Sequence, residues 1–204
     1  MGFISYLTRL ASSGLLLAAS CDKTLYLTID TGSMGPAEEI AAELRKHKVK
    51  ATFFVANEKT TRGDMSMDKS WAPFWKGLVA DGHAFGSHTF RHWYFRRDLP
   101  GGKVAYVSRE GKRESLDRAA VCRELKHSEE AFRALTGRGY DAIWRAPGGK
   151  TTPFVLKSAS FCGYSEHVGW SPAGFLGDEL PSDRYPNQTL LDRKSTRLNS
   201  SHVA

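Results

Sequence analysis

SHTFRH, Ser87–His92, sets His88 and His92 four residues apart at the end of a short apolar run. That spacing is either a metal site or a coincidence among seven histidines, and the stretch alone does not decide between them. The neighbouring segments do. Lys23–Asp30 (KTLYLTID) has the β-branched and aromatic character of a strand and ends in a carboxylate. Gly35–Lys48 reads as a helix, with Pro36 at its start, Glu38 and Glu39 in the first turn and lysines at the end. Val49–Asn57 is a second strand, and Ser70–Gly82 a helix with Ser70 as cap and Gly82 as stop. His83–His88 is a short third strand, and Arg91–Glu114 reads as irregular, basic and glycine-bearing. Ser115–Gly137 is a long amphipathic helix. Asp141–Gly149 (DAIWRAPGG) is a strand running into a Gly–Gly turn. Thr151–Gly163 is a helix, and Glu166–Gly174 (EHVGWSPAG) a fifth strand. Alternating strands and helices predict an α/β fold with parallel strands and crossover helices. In barrels of this kind chemistry collects where strands end. Asp30, His88 with His92, Arg145 and the Trp170 region all fall at predicted strand ends, so they are expected on one rim.

The two ends of the chain read differently from its body. Residues 1–20 have one cation, Arg9, then the apolar run Leu15–Ala19 and small residues, the outline of a secretory signal peptide. That run is shorter than the roughly 20 residues of a membrane span, so no transmembrane helix is expected in the mature chain. An exported protein, periplasmic or extracellular, follows, and the AASC ending allows a lipid anchor on Cys21. At the other end Asp192–His202 (DRKSTRLNSSH) is the codon-for-codon translation of a common short-read library adapter. Residues 192–204 are therefore set aside as an artefact, and residues 21–191 are taken as a truncated domain. The formal charge is +7; the tail carries a net +2 and Arg9 adds +1, which leaves about +4 for residues 21–191. That is a poor argument for a nucleic-acid partner. The basic residues Arg96, Arg97, Lys103, Arg109, Lys112 and Arg113 read as a solvated loop, or as an attractor of an anionic polymer. Cys21, Cys122 and Cys162 make an odd count. We expect a Cys122–Cys162 bridge with Cys21 paired beyond Leu191; the alternative is three buried thiols.

The order TIDTG, GHAFGSHTFRH, WRAPGG, GWSPAG resembles the polysaccharide deacetylases of the NodB-homology type (carbohydrate esterase family four) over roughly residues 24–191. The resemblance implies a distorted (β/α) barrel, here incomplete at its C-terminus, and a divalent metal, usually zinc. It implies hydrolysis of N-acetyl groups on peptidoglycan, chitin-like oligomers or exopolysaccharide, the partner being an N-acetylated polysaccharide or oligosaccharide. Carried over residue by residue, it makes His88 and His92 metal ligands, Asp30 the general base and Arg145 the cation that holds Asp30. The Gly148–Gly149 turn is expected to leave backbone N–H groups open to a developing oxyanion. Trp170 serves either as a wall for the acetyl methyl group or as a plain core tryptophan. His47, His83, His127 and His167 receive no role.

Two departures from the family pattern matter. The family usually carries two adjacent acids after the first strand, the second a metal ligand; here that position is Thr31. Water, or Asp30 itself, is left to complete the coordination sphere. The family's late histidine, the general acid, would lie beyond Leu191, so the chain as written is expected to be unstable and nearly inactive. The alternatives to an N-deacetylase are a glycan-binding pseudoenzyme and a hydrolase of small non-sugar amides on the same fold.

Overall fold

The computed structural model describes residues 26–169 of the 204-residue chain. The expected signal segment, Cys21, Trp170 and the 192–204 tail lie outside the described residues.

Five short strands form one parallel sheet in the order β1 (Thr28–Asp30), β2 (Thr52–Val55), β3 (Ala84–Ser87), β7 (Ile143–Trp144), β8 (Glu166–His167). Helices cross between them: α1 (Ala37–Lys46), α2 (Ala72–Ala80), α3 (Arg118–Thr136) and α4 (Pro153–Phe161). This is the α/β arrangement of a distorted barrel. The helix ends follow their sequence signals. Glu38 and Glu39 stand in the first turn of α1 and Arg45 and Lys46 in its last, each sign opposing the helix dipole. The Asp117 carboxylate accepts from the Ala120 N–H (2.8 Å) at the start of α3, and Gly137, at φ 80°, ends it in the left-handed conformation. Thr152 caps α4 by accepting from Val155 N–H.

Two expectations are corrected. Arg91–Glu114 is not irregular: it supplies β4 (Tyr94–Leu99), β5 (Lys103–Val107) and the first two residues of β6 (Arg113–Asp117), an antiparallel three-stranded sheet. Its core face is only Phe95, Val104, Tyr106 and Leu116, spread among charges, so the alternation is easily missed. α3 therefore starts at Arg118, and Ser115–Asp117 belong to β6. Nor does Ser70 cap α2. A 3₁₀ turn, Lys69–Trp71, precedes that helix, and the Ser70 hydroxyl donates to Asp64 instead (2.6 Å).

The core has two halves. One packs Leu44, Phe53, Trp71, Trp75 and Phe85 between the parallel sheet, α1 and α2; the other packs Phe95, Tyr106, Trp144 and Val155 beneath the antiparallel sheet and α4. α3 joins them, giving Phe132 and Leu135 to the first and Val121 and Leu125 to the second. Close approach of β3 to β7 depends on Gly86. A Cβ there would stand 2.8 Å from both the Ile143 carbonyl oxygen and the Phe54 ring. We expect Gly86→Ala to cost about 1–3 kcal/mol by overpacking, read as a lower urea midpoint. It should also weaken activity, because β7 carries the chain into Arg145.

Candidate active site

Asp30, His88 and Arg145 stand at, or one residue beyond, the C-terminal ends of β1, β3 and β7. Ladder hydrogen bonds continue past the strands and fix each one. Thr31 N–H donates to Phe54 O, His88 N–H to Val55 O and Arg145 N–H to Ser87 O, all between 2.8 and 3.0 Å. The rim is therefore as rigid as the sheet.

Arg145 is 3% exposed, and its guanidinium has these partners among the described residues. Nη1 donates to Asp30 Oδ1 (2.7 Å), Nη2 to Thr28 Oγ1 (2.8 Å) and Nε to the Val168 carbonyl (2.9 Å). Its carbon lies 4.3 Å above the Phe54 ring. Because only one guanidinium nitrogen is given to Asp30, the second carboxylate oxygen is left for the site. That oxygen, Oδ2, is 3.5 Å from His88 Nε2.

His88 is buried, and its Nδ1 lies 2.9 Å from the Arg145 carbonyl oxygen. A carbonyl only accepts, so Nδ1 carries the proton and Nε2 keeps its lone pair. Burial lowers the His88 pKa against the pull of Asp30, which favours the neutral ring. His92 is arranged alike: Nδ1 meets Glu58 Oε1 at 3.0 Å, and Nε2 faces His88 Nε2 at 3.2 Å. At this distance the two Nε2 atoms either share a proton or, with both lone pairs free, converge on a single cation. Two imidazole nitrogens on one tetrahedral zinc, each about 2.0–2.1 Å from it, stand about 3.3 Å apart. The pair thus fits as two ligands of a single metal ion. Among the described residues no three His, Cys, Asp or Glu side chains form a ready-made cage. Thr31 contributes no charge, and its hydroxyl accepts from the Ala56 N–H (2.8 Å).

The loop that joins the histidines is strained at both ends, with Thr89 at φ 61° and His92 at φ 55°. A network that runs from buried Glu124 and Tyr106 out to the surface holds it there. Arg91 donates through Nε and its backbone N–H to the two oxygens of Glu124 (2.5 and 3.1 Å), and through Nη1 to Glu114 (2.9 Å). The Tyr106 hydroxyl lies 3.2 Å from Glu124 Oε2 and 3.3 Å from Thr89 Oγ1.

One expected feature is narrowed. The Gly149 N–H donates to the Ala146 carbonyl (2.8 Å), so it is not open to an oxyanion. Gly148, at φ 66°, sits against Tyr94, whose ring would be 3.2 Å from any Cβ there. Cys122 and Cys162 are joined in a disulfide (Cα–Cα 5.6 Å) that ties α3 to α4. Three residues near the site went unnoticed in the sequence: Glu58, Thr28 and Glu124. Glu58 had a usable signal, a carboxylate just past the apolar strand TFFVAN. Thr28 and Glu124 had none, because their partners are distant in the chain.

The polysaccharide deacetylase family model matches residues 18–167. A chitooligosaccharide deacetylase of Azorhizobium caulinodans is 26% identical over 151 residues; the match covers 72% of this chain and 58% of that protein. Solved structures of similar shape include a CE4 esterase of Streptococcus mutans (21% identical, TM-score 0.59, covering 84% of this chain and 66% of that one). A CE4 family pseudoenzyme of Bacillus anthracis follows at 21% identity and TM-score 0.57, covering 84% and 50%. The chitin deacetylase of the fungal pathogen Colletotrichum lindemuthianum is 22% identical, with TM-score 0.54 and coverage of 84% and 81%. At these identities the three structures speak for the fold alone.

Proposed function

This chain belongs to the polysaccharide deacetylase family, and from that premise we propose that it is a metal-dependent hydrolase removing N-acetyl groups from an acetylated glycan. The observation that carries the reading is the facing pair of imidazole nitrogens, 3.2 Å apart, beside a carboxylate held by a buried guanidinium. The proposed partner is an N-acetylated oligosaccharide or polysaccharide, the class named for the Azorhizobium relative.

His88 and His92 would hold a divalent metal, zinc in this reading, which would supply Lewis acidity for attack of water on the acetamide carbonyl. The chain's own residues do the rest. Asp30 Oδ2 takes the proton from the water as it attacks. Arg145 grips Oδ1 and prevents the carboxylate from turning away. Burial keeps the His88 ring neutral, the form in which a lone pair is available. Gly148 offers the remaining N–H of its turn to the developing oxyanion.

Export fits the same picture. A Cys122–Cys162 disulfide persists in an oxidising compartment, and the first 20 residues have the outline of a leader. Among the described residues no helix is long and apolar enough to cross a membrane.

The test is acetate release from N-acetylated chito-oligomers and peptidoglycan by the protein with its natural C-terminal sequence in place of residues 192–204, since the chain as written is expected to be nearly inactive. We expect release that falls to background on chelation and returns on adding zinc. Thr31 favours a second reading, a glycan-binding protein without catalysis. Retention on a glycan matrix with neither bound metal nor acetate release would support that reading. Release from small amides in preference to glycans would move the substrate off sugars.

A further inference from the structure

Glu58 stands three residues past β2 and is fixed from several sides. Its backbone N–H donates to Ser66 Oγ (3.0 Å) and its carbonyl accepts from Ser66 N–H (2.8 Å). Ser66 is itself fully buried, and its hydroxyl donates to the Ala56 carbonyl (2.7 Å). The Trp75 indole donates to the Ser66 carbonyl (2.8 Å). Next to Glu58, the Asn57 N–H donates to the Phe90 carbonyl (2.9 Å), so this turn is bonded directly to the loop between the two histidines. These bonds fix the backbone that carries the Glu58 side chain, so the carboxylate is presented to His92 from a turn whose position is set independently of that ring.

The carboxylate is also incompletely satisfied. Oε1 receives the His92 Nδ1–H, while Oε2 is buried with no hydrogen-bond partner among the described residues. A buried, unpaired carboxylate oxygen is costly, and a native fold keeps one where its charge has a use. The charge balance of the site supplies that use. Asp30 is already paired with Arg145, both imidazoles are neutral in the ligating form, and Thr31 carries no charge. A dication between His88 and His92 would otherwise face little net negative charge.

We infer that Glu58 is the positioning residue of the histidine pair. It holds His92 in its Nδ1–H tautomer, aims Nε2 at the point His88 faces, and supplies through the imidazole the negative charge that position 31 lacks. The inference rests on the metal reading above. It assigns Glu58 no contact with substrate.

Zinc titration into metal-free protein tests it, with wild type, Glu58→Gln, Glu58→Ala and His88→Ala compared. Outer-sphere partners of this kind are typically worth about 10–100-fold in metal affinity. Glu58→Ala should weaken binding by that much. Glu58→Gln should fall between it and wild type, because an amide oxygen can still accept the Nδ1–H, and His88→Ala should lose binding. Ring-¹⁵N spectra of metal-free protein in alkaline buffer give a readout independent of zinc. His92 should be held as the Nδ1–H tautomer in wild type and should become a tautomer mixture in Glu58→Ala. If Glu58→Ala binds zinc like wild type and keeps the tautomer, the inference is overturned while the metal site stands. If wild type binds no zinc, the metal reading fails and takes the inference with it.

Discussion

Asp30→Asn should lower kcat by about 10²–10⁴-fold, the usual contribution of a positioned general base, with KM little changed. The asparagine keeps the size of the aspartate, and its oxygen can still accept from Arg145 Nη1. What it loses is basicity at the oxygen 3.5 Å from His88 Nε2. An interaction made only in the transition state lowers kcat and kcat/KM together, and that equality is the signature to look for. A cost in stability comes with it, because the buried Arg145 loses its charge pairing with Asp30. Removing one partner of a fully buried pair costs about 3–5 kcal/mol. Here the Asp30 side chain is 26% exposed, so water screens part of the loss and about 1–3 kcal/mol is expected. Steady-state kinetics well below the variant's own melting temperature separate the two effects. A kcat within about tenfold of wild type would remove Asp30 from the role of base.

Arg145 explains why the pair is built as it is. A lysine could neutralise Asp30 but could not also hold Thr28 Oγ1 and the Val168 carbonyl, since its ammonium is a point charge rather than a planar fork. The guanidinium thus ties β1 to the segment after β8 through the same group that orients the carboxylate. Stability and chemistry share one side chain at the rim.

The parts of the molecule legible in the sequence are those whose signals are local. Strand-ending polar residues marked the rim, because in a parallel sheet every strand delivers its last residues to the same side. Asp30, His88 and Arg145 could therefore be placed together without knowing which strands are neighbours. The antiparallel sheet was illegible for the opposite reason. Its hidden face is one or two apolar residues per strand, and only the pairing of Val104 with Leu116 and of Phe95 with Tyr106 makes them a surface. Glu124 shows the same limit. It lies mid-helix among charges and reads as solvated, yet it is buried beneath Arg91 and Tyr106. The Gly148–Gly149 turn suggested two open donors, and only the structure shows that Gly149 uses its own to close the turn.

Removing the Cys122–Cys162 bridge should have the largest effect on stability. The cysteines are 40 residues apart, and closing a loop of that length restricts the unfolded chain by about 4 kcal/mol in the chain-entropy account. For a protein of this size each kcal/mol moves Tm by about 2–4 °C, so a Cys122→Ala, Cys162→Ala double variant should melt about 8–15 °C lower. Reductant should lower the Tm of wild type by a similar amount and leave the double variant unmoved, which separates the bridge from general effects of the reagent. The bridge joins the start of α3 to the end of α4, and Glu124 lies two residues beyond Cys122 on α3. Loosening that end of the helix frees the carboxylate that clamps Arg91 and, through it, the strained loop between His88 and His92. Activity should therefore fail at a lower temperature than helical structure does in the double variant, a gap that circular dichroism and acetate release measured on one temperature ramp would reveal. A shift of less than about 2 °C on reduction would mean that the unfolded chain gains little freedom when the bridge opens, and the case for an oxidising compartment would lose its structural support.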